Sequence, residues 1–286
     1  MNRLVRALAA RLWVLKDQLL PASWTTKPGV RVLIFHHVRE HEEIGFARLL
    51  DFLLDRNELA GPEEIGRTDL ATTKYVLSFD DGYDSNHSLA RRLLAPRKVR
   101  ALFCICSGLV GQPDALPLID RYMFPGLDVS EEMKRELHFM SWEQVVDLAE
   151  EGHTIASHSM KHLRLSELDD ESDLREEIVI SGDLLADRLK RPVRFFAYPF
   201  GDLESVNERA LAIIAGRYDY CLTGIRGLNP AGAGRRGLFR EHVDLGASFA
   251  SQLMASRGGL DLAYVRQRRE FDRMFRVDRR PSPSPR

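Results

Sequence analysis

Two adjacent acidic residues and a pair of histidines are the residues of this chain best suited to metal-assisted hydrolysis. Asp80 and Asp81 follow an apolar run and precede Gly82, and His158 and His162 are four residues apart. In a helical turn, that spacing brings both imidazoles to one side, at a separation that one cation can bridge. Two histidines and one carboxylate leave open positions for water and substrate, which is the pattern of a catalytic zinc site.

The adjacent carboxylates predict a division of roles. Neighbouring residues that leave a strand point in roughly opposite directions. One carboxylate can therefore bind a metal while the other stays free as a base. The alternatives are an aspartate-rich turn with a capping role and two histidines at the surface.

The sequence between these residues predicts the βα units of a parallel sheet. Short runs rich in β-branched and aromatic residues alternate with helix-like stretches. The predicted strands are Arg31–Phe35, Tyr75–Phe79, Ala101–Cys106, His153–Ser157, Val193–Ala197, Tyr218–Leu222 and Arg240–Val243. The clearest predicted helices are Ser88–Leu94, Ser141–Glu150, which Ser141 and Gln144 open as a capping box, Leu174–Leu189 and Glu204–Ile214.

Chemically distinctive residues end five of the seven predicted strands. Ligands collect at the carboxyl ends of strands in parallel α/β proteins. A single barrel explains this clustering better than two domains do. In chain order these residues are His36 and His37, then Asp80 to Gly82, His158, Tyr198 to Gly201, and His242.

Composition excludes several classes of protein. The chain has 286 residues, 44% hydrophobic and 29% charged, which excludes disorder throughout. A net charge of -1 argues against a dedicated nucleic-acid binder. The odd number of cysteines, three, favours a reducing compartment over a disulfide framework.

The two ends of the chain are predicted to lie outside a single catalytic domain at residues 29–275. Residues 1–28 have the spacing of an amphipathic helix, which either touches anionic lipid or a partner or packs on the domain. Arg11 interrupts what would be the apolar region of a secretory signal. We therefore expect a cytoplasmic protein, with peripheral membrane contact through this helix as an open alternative. Residues 276–286, rich in Pro, Ser and Arg, are predicted to be disordered.

Three segments in this order resemble the polysaccharide deacetylase family, the NodB-homology carbohydrate esterases of family 4. They are Ser78–Gly82, His158–His162 and Phe196–Gly201, and the similarity runs from about residue 32 to residue 243. The resemblance implies a distorted (β/α)7 barrel. It also implies metal-dependent removal of N- or O-acetyl groups from sugars.

The family's site residues carry over position by position. Asp81, His158 and His162 resemble its metal ligands, which implies zinc or another divalent transition metal, and Asp80 resembles its catalytic base. The turn of Tyr198, Pro199, Phe200 and Gly201 resembles the turn whose backbone N–H groups complete an oxyanion hole. A metal-held water ionises near pH 7, so an adjacent carboxylate can take its proton.

An amide substrate also needs a general acid to protonate the leaving amine. His242 is the candidate, because its segment loosely resembles the family's late histidine motif. The alternative is a partly buried histidine with a structural role. His36 and His37 either support the metal site or face the substrate, or they pack beneath the barrel rim.

One position departs from the family pattern. Many relatives have an arginine that orients the catalytic aspartate where this chain has Ala197. Arg240 or Arg194 would have to supply that charge, unless both are salt-bridged surface arginines. Relatives that act on poly-N-acetylglucosamine share the Ala-Tyr-Pro-aromatic-Gly form.

The long connection from Ser107 to Met140 has two interpretations. Its aromatic residues, with the adjoining Trp142, either stack on sugar rings or form the core of a lid. Those in the connection are Tyr122, Phe124 and Phe139.

The leading functional hypothesis is a metal-dependent hydrolase that removes N-acetyl groups from a sugar of a polysaccharide or glycolipid precursor. Two alternatives stay open. One is hydrolysis of another non-peptide carbon–nitrogen bond, in a formamide or a cyclic ureide. The other is a glycan-binding pseudoenzyme.

Overall fold

The computed structural model describes residues 27–113, 115–123, 130–232 and 237–276. The predicted N-terminal helix, residues 277–286 of the tail predicted to be disordered, and Phe124 lie outside these residues. Arg276, the first residue of that predicted tail, instead ends a helix. Among the helices of the described ranges, none combines the length and the apolar character needed to cross a bilayer.

One nine-stranded sheet forms the centre of the protein, in the order β7-β1-β2-β3-β4-β5-β6-β8, with β9 against β1. Its strands are β1 (Gly29–Phe35), β2 (Thr73–Phe79), β3 (Leu102–Ile105), β4 (Thr154–Ser157), β5 (Phe195–Ala197), β6 (Tyr220–Leu222), β7 (Asn229–Pro230), β8 (Gly237–Leu238) and β9 (Arg240–His242).

The sheet closes through β8 and β9, which only Phe239 separates. β8 pairs in parallel with β6, and β9 pairs in parallel with β1. These two strands together form the seventh side of the ring. β4 and β5 share the single pair Ser157 and Phe196, and β7 runs antiparallel to β1. The predicted distorted (β/α)7 barrel is therefore confirmed.

Helices connect the strands and cover the outside of the sheet. They are α1 (Glu43–Asp55), α2 (Asp84–Leu89), α3 (Ala115–Leu118), α4 (Glu131–Arg135), α5 (Trp142–Glu150), α6 (Glu171–Arg175), α7 (Ser181–Leu189), α8 (Glu208–Arg217), α9 (Phe249–Ser256) and α10 (Val265–Arg276). π-helical turns follow α2, α3 and α6, at Ala90–Leu94, Ile119–Met123 and Glu176–Ile180.

The predicted strands exist, and three predicted helices differ from the observed ones. The predicted Ser88–Leu94 helix is the end of α2 followed by the π turn at Ala90–Leu94. The predicted Leu174–Leu189 helix is α6 and α7 joined by the π turn. The predicted Glu204–Ile214 helix breaks after a short 3-10 turn, because Asn207 caps a new helix by accepting the Ala210 N–H at 2.9 Å. The predicted capping box of α5 is present.

Alternation along the strands separates two apolar cores. Val30 and Val32 of β1 face the barrel interior, with Val76 of β2, whereas Leu33 and Phe35 pack with the helices outside. Complete burial of each such side chain contributes about 1.5–3 kcal/mol. The period of two therefore fixes which face of each strand points inward.

The same alternation aims polar residues into the barrel mouth. On β2 the inward row continues from Val76 to Ser78 and then to Asp80, just beyond the strand. On β9, Arg240 faces the same interior and donates to Ser78 Oγ at 3.3 Å. The inward rows of two strands thus meet at the carboxyl end of the barrel.

The long connection before α5 contains helical segments and a local apolar core. Phe139 stacks on Tyr83 at 5.8 Å, and the cluster includes Leu109 and Ile119. Trp142 packs with the outer core under the Arg188 guanidinium. Phe139 therefore belongs to the core of this connection, as the second interpretation predicted, and does not stack on a sugar ring.

Candidate active site

Asp81, His158 and His162 converge at the carboxyl end of the barrel. One ligand atom from each lies within 4.8 Å of the others. Asp81 Oδ1 is 3.3 Å from His158 Nε2 and 3.5 Å from His162 Nε2. All three residues are at most 6% exposed.

The hydrogen bond made by the Nδ1 atom of each histidine fixes the tautomer of the ring. The tautomer decides whether Nε2, which faces Asp81, presents a lone pair. His158 Nδ1 lies 2.7 Å from the Ala197 carbonyl oxygen, and His162 Nδ1 lies 3.0 Å from that of Tyr122. A carbonyl oxygen only accepts, so both Nδ1 atoms carry the proton. In the neutral rings both Nε2 atoms therefore present lone pairs, as metal-binding histidines do.

This donor set fits a divalent cation. Asp81 Oδ1 is buried and has no hydrogen-bond partner among the described residues, which is costly unless something else compensates the charge. Burial lowers the pKa of His162 to about 4, which keeps its ring neutral near pH 7. Two imidazole nitrogens and one carboxylate oxygen suit zinc, with positions left for water and substrate.

A sharp turn after β2 separates the two aspartates. Asp81 has φ of 76° and Gly82 has φ of 81°. Aspartate tolerates this left-handed region better than most residues, and glycine adopts it freely. The turn directs Asp81 toward the histidines while Asp80 stays in the inward row of β2.

The segment that carries both histidines is not helical, so the helical-turn expectation is wrong. Ser159 and His162 have φ of 67° and 62°. The Ser159 hydroxyl accepts the His162 N–H at 2.9 Å. This irregular turn still places the two ring centroids 5.0 Å apart.

Asp80 is held by Arg240 rather than left free in the cleft. Arg240 Nη1 and Nη2 donate to Oδ1 and Oδ2 at 2.7 and 2.8 Å. Burial raises the pKa of Asp80, but the charges of Arg240 and His158 lower it by more, so it lies below its usual range. Arg240 is 1% exposed, and its Nε donates to the Thr223 carbonyl at 2.7 Å.

The two arginines considered for the missing charge occupy different environments. Arg194 pairs with Asp219, and its side chain is 55% exposed. Arg240 contacts Asp80 directly. The Ala197 position, where the family pattern has arginine, contributes its backbone carbonyl to His158.

The turn after β5 lies beside His162 of the candidate metal site. The Phe200 ring is 4.7 Å from the ring of His162. Phe200 and Gly201 have φ of 64° and 72°, and the Tyr198 hydroxyl donates to the Gly201 carbonyl at 2.8 Å. Pro199 has no N–H, so an oxyanion would have to bind the amides of its neighbours.

Three further histidines lie on the rim. His242 is exposed at the end of β9, with its ring 5.9 Å from that of His36. Desolvation lowers the pKa of His242, and the charges of His36 and Arg226 lower it further. His37 Nδ1 hydrogen-bonds Ser85 Oγ at 2.8 Å, so it supports the β2–α2 turn.

Several groups at this site escaped the sequence analysis. The carbonyls of Ala197 and Tyr122 carry no sequence signal, because every residue has one. Tyr83 has a buried hydroxyl with no hydrogen-bond partner in the described ranges. Burial raises the pKa of Tyr83, and the charge of Asp81 raises it further. Glu177 did leave a signal, since it is a charged residue on the apolar face that includes Leu174.

Solved structures share this fold at low sequence identity. IcaB from Ammonifex degensii is 22% identical with a TM-score of 0.61, over 80% of this chain and 97% of that one. The deacetylase PplD from Streptococcus pyogenes, in complex with acetate, is 20% identical with a TM-score of 0.62, over 80% and 99%. A de-N-acetylase from Aggregatibacter actinomycetemcomitans is 18% identical with a TM-score of 0.58, over 78% and 97%.

The family itself is shown by the sequence match. No curated protein matches this chain. Residues 68–216, more than half of the chain, match the family described as polysaccharide deacetylase. That range holds both aspartates, both metal-site histidines and the turn after β5, so this chain belongs to the polysaccharide deacetylase family.

Proposed function

We propose that this protein removes N-acetyl groups from an N-acetylated sugar of a polysaccharide or glycolipid precursor, with a divalent cation bound by Asp81, His158 and His162. The observation that carries the proposal is the convergence of two imidazole lone pairs on Asp81 Oδ1, beside the second carboxylate of Asp80. Within the described part of the chain, no group hydrogen-bonds that oxygen. The solved relative described as a de-N-acetylase supports the choice of an amide bond.

Asp80 is the residue placed to take a proton from the attacking water. When bound, a divalent cation would acidify that water and polarise the acetyl carbonyl. Arg240 keeps Asp80 ionised and fixes the plane of its carboxylate through two hydrogen bonds. The low pKa of Asp80 makes it a weak base, so it depends on an acidified water.

The remaining roles belong to the turn after β5 and to the rim. Backbone amides near Phe200 and Gly201 stabilise the developing oxyanion. His242 protonates the leaving amine from the opposite side. Because burial lowers the pKa of His242, a smaller fraction of this ring is protonated near neutral pH than of an ordinary histidine.

Acetate release from N-acetylated glycans is the direct test. The purified protein loaded with zinc should release acetate, and Asp80→Asn should stop this release while metal content is unchanged. The matched control is Asp187→Asn, which alters an exposed carboxylate paired with Lys190. Turnover by Asp80→Asn at the wild-type rate would exclude Asp80 as the base.

The same assay separates the proposal from its competitors. Faster turnover of formylated sugars or cyclic ureides than of acetylated sugars would assign another carbon–nitrogen bond. Tight metal binding with no turnover of any acylated sugar would favour a glycan-binding protein. Membrane contact through the N-terminal extension and a cytoplasmic location stay predictions.

A further inference from the structure

Glu177 is a buried carboxylate outside the residues assigned so far. It lies in the π-helical turn between α6 and α7 and is 2% exposed. Its Oε2 accepts the backbone N–H of Met160 at 3.1 Å and that of Lys161 at 2.9 Å. The Ser159 hydroxyl also lowers the pKa of this carboxylate, against the larger effect of burial.

These two hydrogen bonds hold residues 160 and 161, which lie between the two metal-site histidines. The preceding residue, Ser159, continues the contacts to His162, because its oxygen accepts the His162 N–H. Two residues of the segment have positive φ, which is unfavourable for side chains of this kind. A turn of this shape lacks the internal hydrogen bonds of a helix and needs an acceptor from elsewhere, which Glu177 provides.

An uncharged group could also accept hydrogen bonds from this turn, so the burial of a charged one needs a reason. Desolvation of a carboxylate is costly, and burial raises the pKa of Glu177. Charge-assisted hydrogen bonds to two backbone amides offset that cost and hold the amides strongly. The neighbouring Glu176 differs, since it is exposed and reaches only the Lys161 side chain at 2.9 Å.

We propose that Glu177 is a positioning residue that sets the separation of the His158 and His162 imidazoles and thereby the affinity of the site for a divalent cation. This inference rests on the proposed metal site but not on the substrate. Glu177 touches neither ligand atom. It acts through the backbone of residues 159–161.

Glu177→Gln tests this at nearly constant volume, with Glu176→Gln as the matched control one residue away. The affinity for zinc would be measured by chelator competition, and the ligand geometry by the visible spectrum of the cobalt(II) form. We expect the dissociation constant to rise about 10- to 100-fold in Glu177→Gln, the range for groups that support metal ligands. The control should keep the wild-type affinity and spectrum.

Folding effects are separated by two further measurements. Circular dichroism and thermal unfolding of the metal-free variants report the fold independently of the metal. Ser159→Ala removes the hydrogen bond to His162 and keeps the Glu177 carboxylate. Like Glu177→Gln, it should weaken zinc binding. Wild-type affinity in both Glu177→Gln and Ser159→Ala would overturn the inference.

The outcomes also distinguish this inference from the proposed function. A protein that binds zinc but releases no acetate would refute the proposed function and leave the Glu177 result readable. Acetate release with metal affinity indifferent to Glu177 would refute the positioning role alone.

Discussion

Asp80 and Arg240 are 160 residues apart in the chain, yet Arg240 Nη1 donates to Asp80 Oδ1 and Nη2 donates to Oδ2. The pair forms inside the barrel, where the inward rows of β2 and β9 meet. Both side chains are at most 4% exposed. In such surroundings, removal of one partner leaves an uncompensated charge.

Arg240→Met should therefore destabilise the protein strongly. We expect a loss of about 3–5 kcal/mol in the free energy of unfolding, since Asp80 would be left buried without its partner. Arg194→Met, which breaks an exposed pair with Asp219, should cost no more than about 1 kcal/mol. Urea unfolding of both variants measures the difference, and equal losses would contradict it.

The pH dependence of the same comparison has a definite sign. The folded-state pKa of Asp80 is depressed, so its contribution to stability is present above the unfolded pKa of about 4 and lost as the pH falls through the folded pKa. Arg240→Met removes the charge that most strongly lowers that pKa, so burial, the largest effect, raises it in the variant, which therefore loses stability as the pH rises. The gap between wild type and variant should widen from pH 4 to pH 7, and a constant gap would refute this account.

Metal binding should weaken in acid. Burial lowers the pKa of His158, but the charges of Asp80 and Asp81 raise it by more, so protons compete with a cation at this ring. Zinc affinity should fall as the pH drops below that raised pKa, and fall further near pH 4, where His162 also becomes protonated. Calorimetric titrations at several pH values measure this, with His87→Gln as the control because His87 pairs with Asp147 on the helical layer. An affinity independent of pH would exclude these histidines as ligands.

The loss of turnover in His242→Gln should depend on the leaving group of the substrate. The amine of an N-acetyl sugar needs protonation, so we expect its turnover number to fall by about 10²–10⁴. An activated aryl acetate, whose leaving group departs without a proton, should lose far less. The comparison is made by acetate release under saturating substrate, and the same loss on both substrates would remove His242 as the general acid.

Gly201→Ala should disrupt the turn beside His162. The residue has φ of 72°, and an added Cβ would lie 2.5 Å from the Gly224 nitrogen. We expect a loss of more than about 1 kcal/mol in stability, together with reduced turnover. Gly216→Ala is the matched control, because nothing lies within 4 Å of its Cβ position on α8. There alanine should be neutral or stabilise the helix by up to about 1 kcal/mol, and equal melting temperatures of the two variants would count against the steric argument.

The sequence by itself was sufficient for the barrel, and it predicted the three residues that the structure brings together in the candidate metal site. Alternation along Val76, Ser78 and Asp80 is a local property of an extended chain, so it predicts which side chains share a face. The distinctive residues at strand ends predict a common rim, because ligands collect at the carboxyl ends of parallel strands. Ser141 with Gln144 predicts the start of α5. The family resemblance then assigned expected roles.

Only the tertiary structure decided which arginine meets Asp80. Arg240 reaches the interior because β9 pairs with β1 in a register that sets Arg240 beside Val32, and a slip of one residue would turn it outward. Nothing local distinguishes Arg240 from Arg194, which lies at the surface. Sequence reasoning could not predict the irregular turn between His158 and His162 either. The backbone N–H groups of this turn bind the carboxylate of Glu177, which lies on another element of the fold.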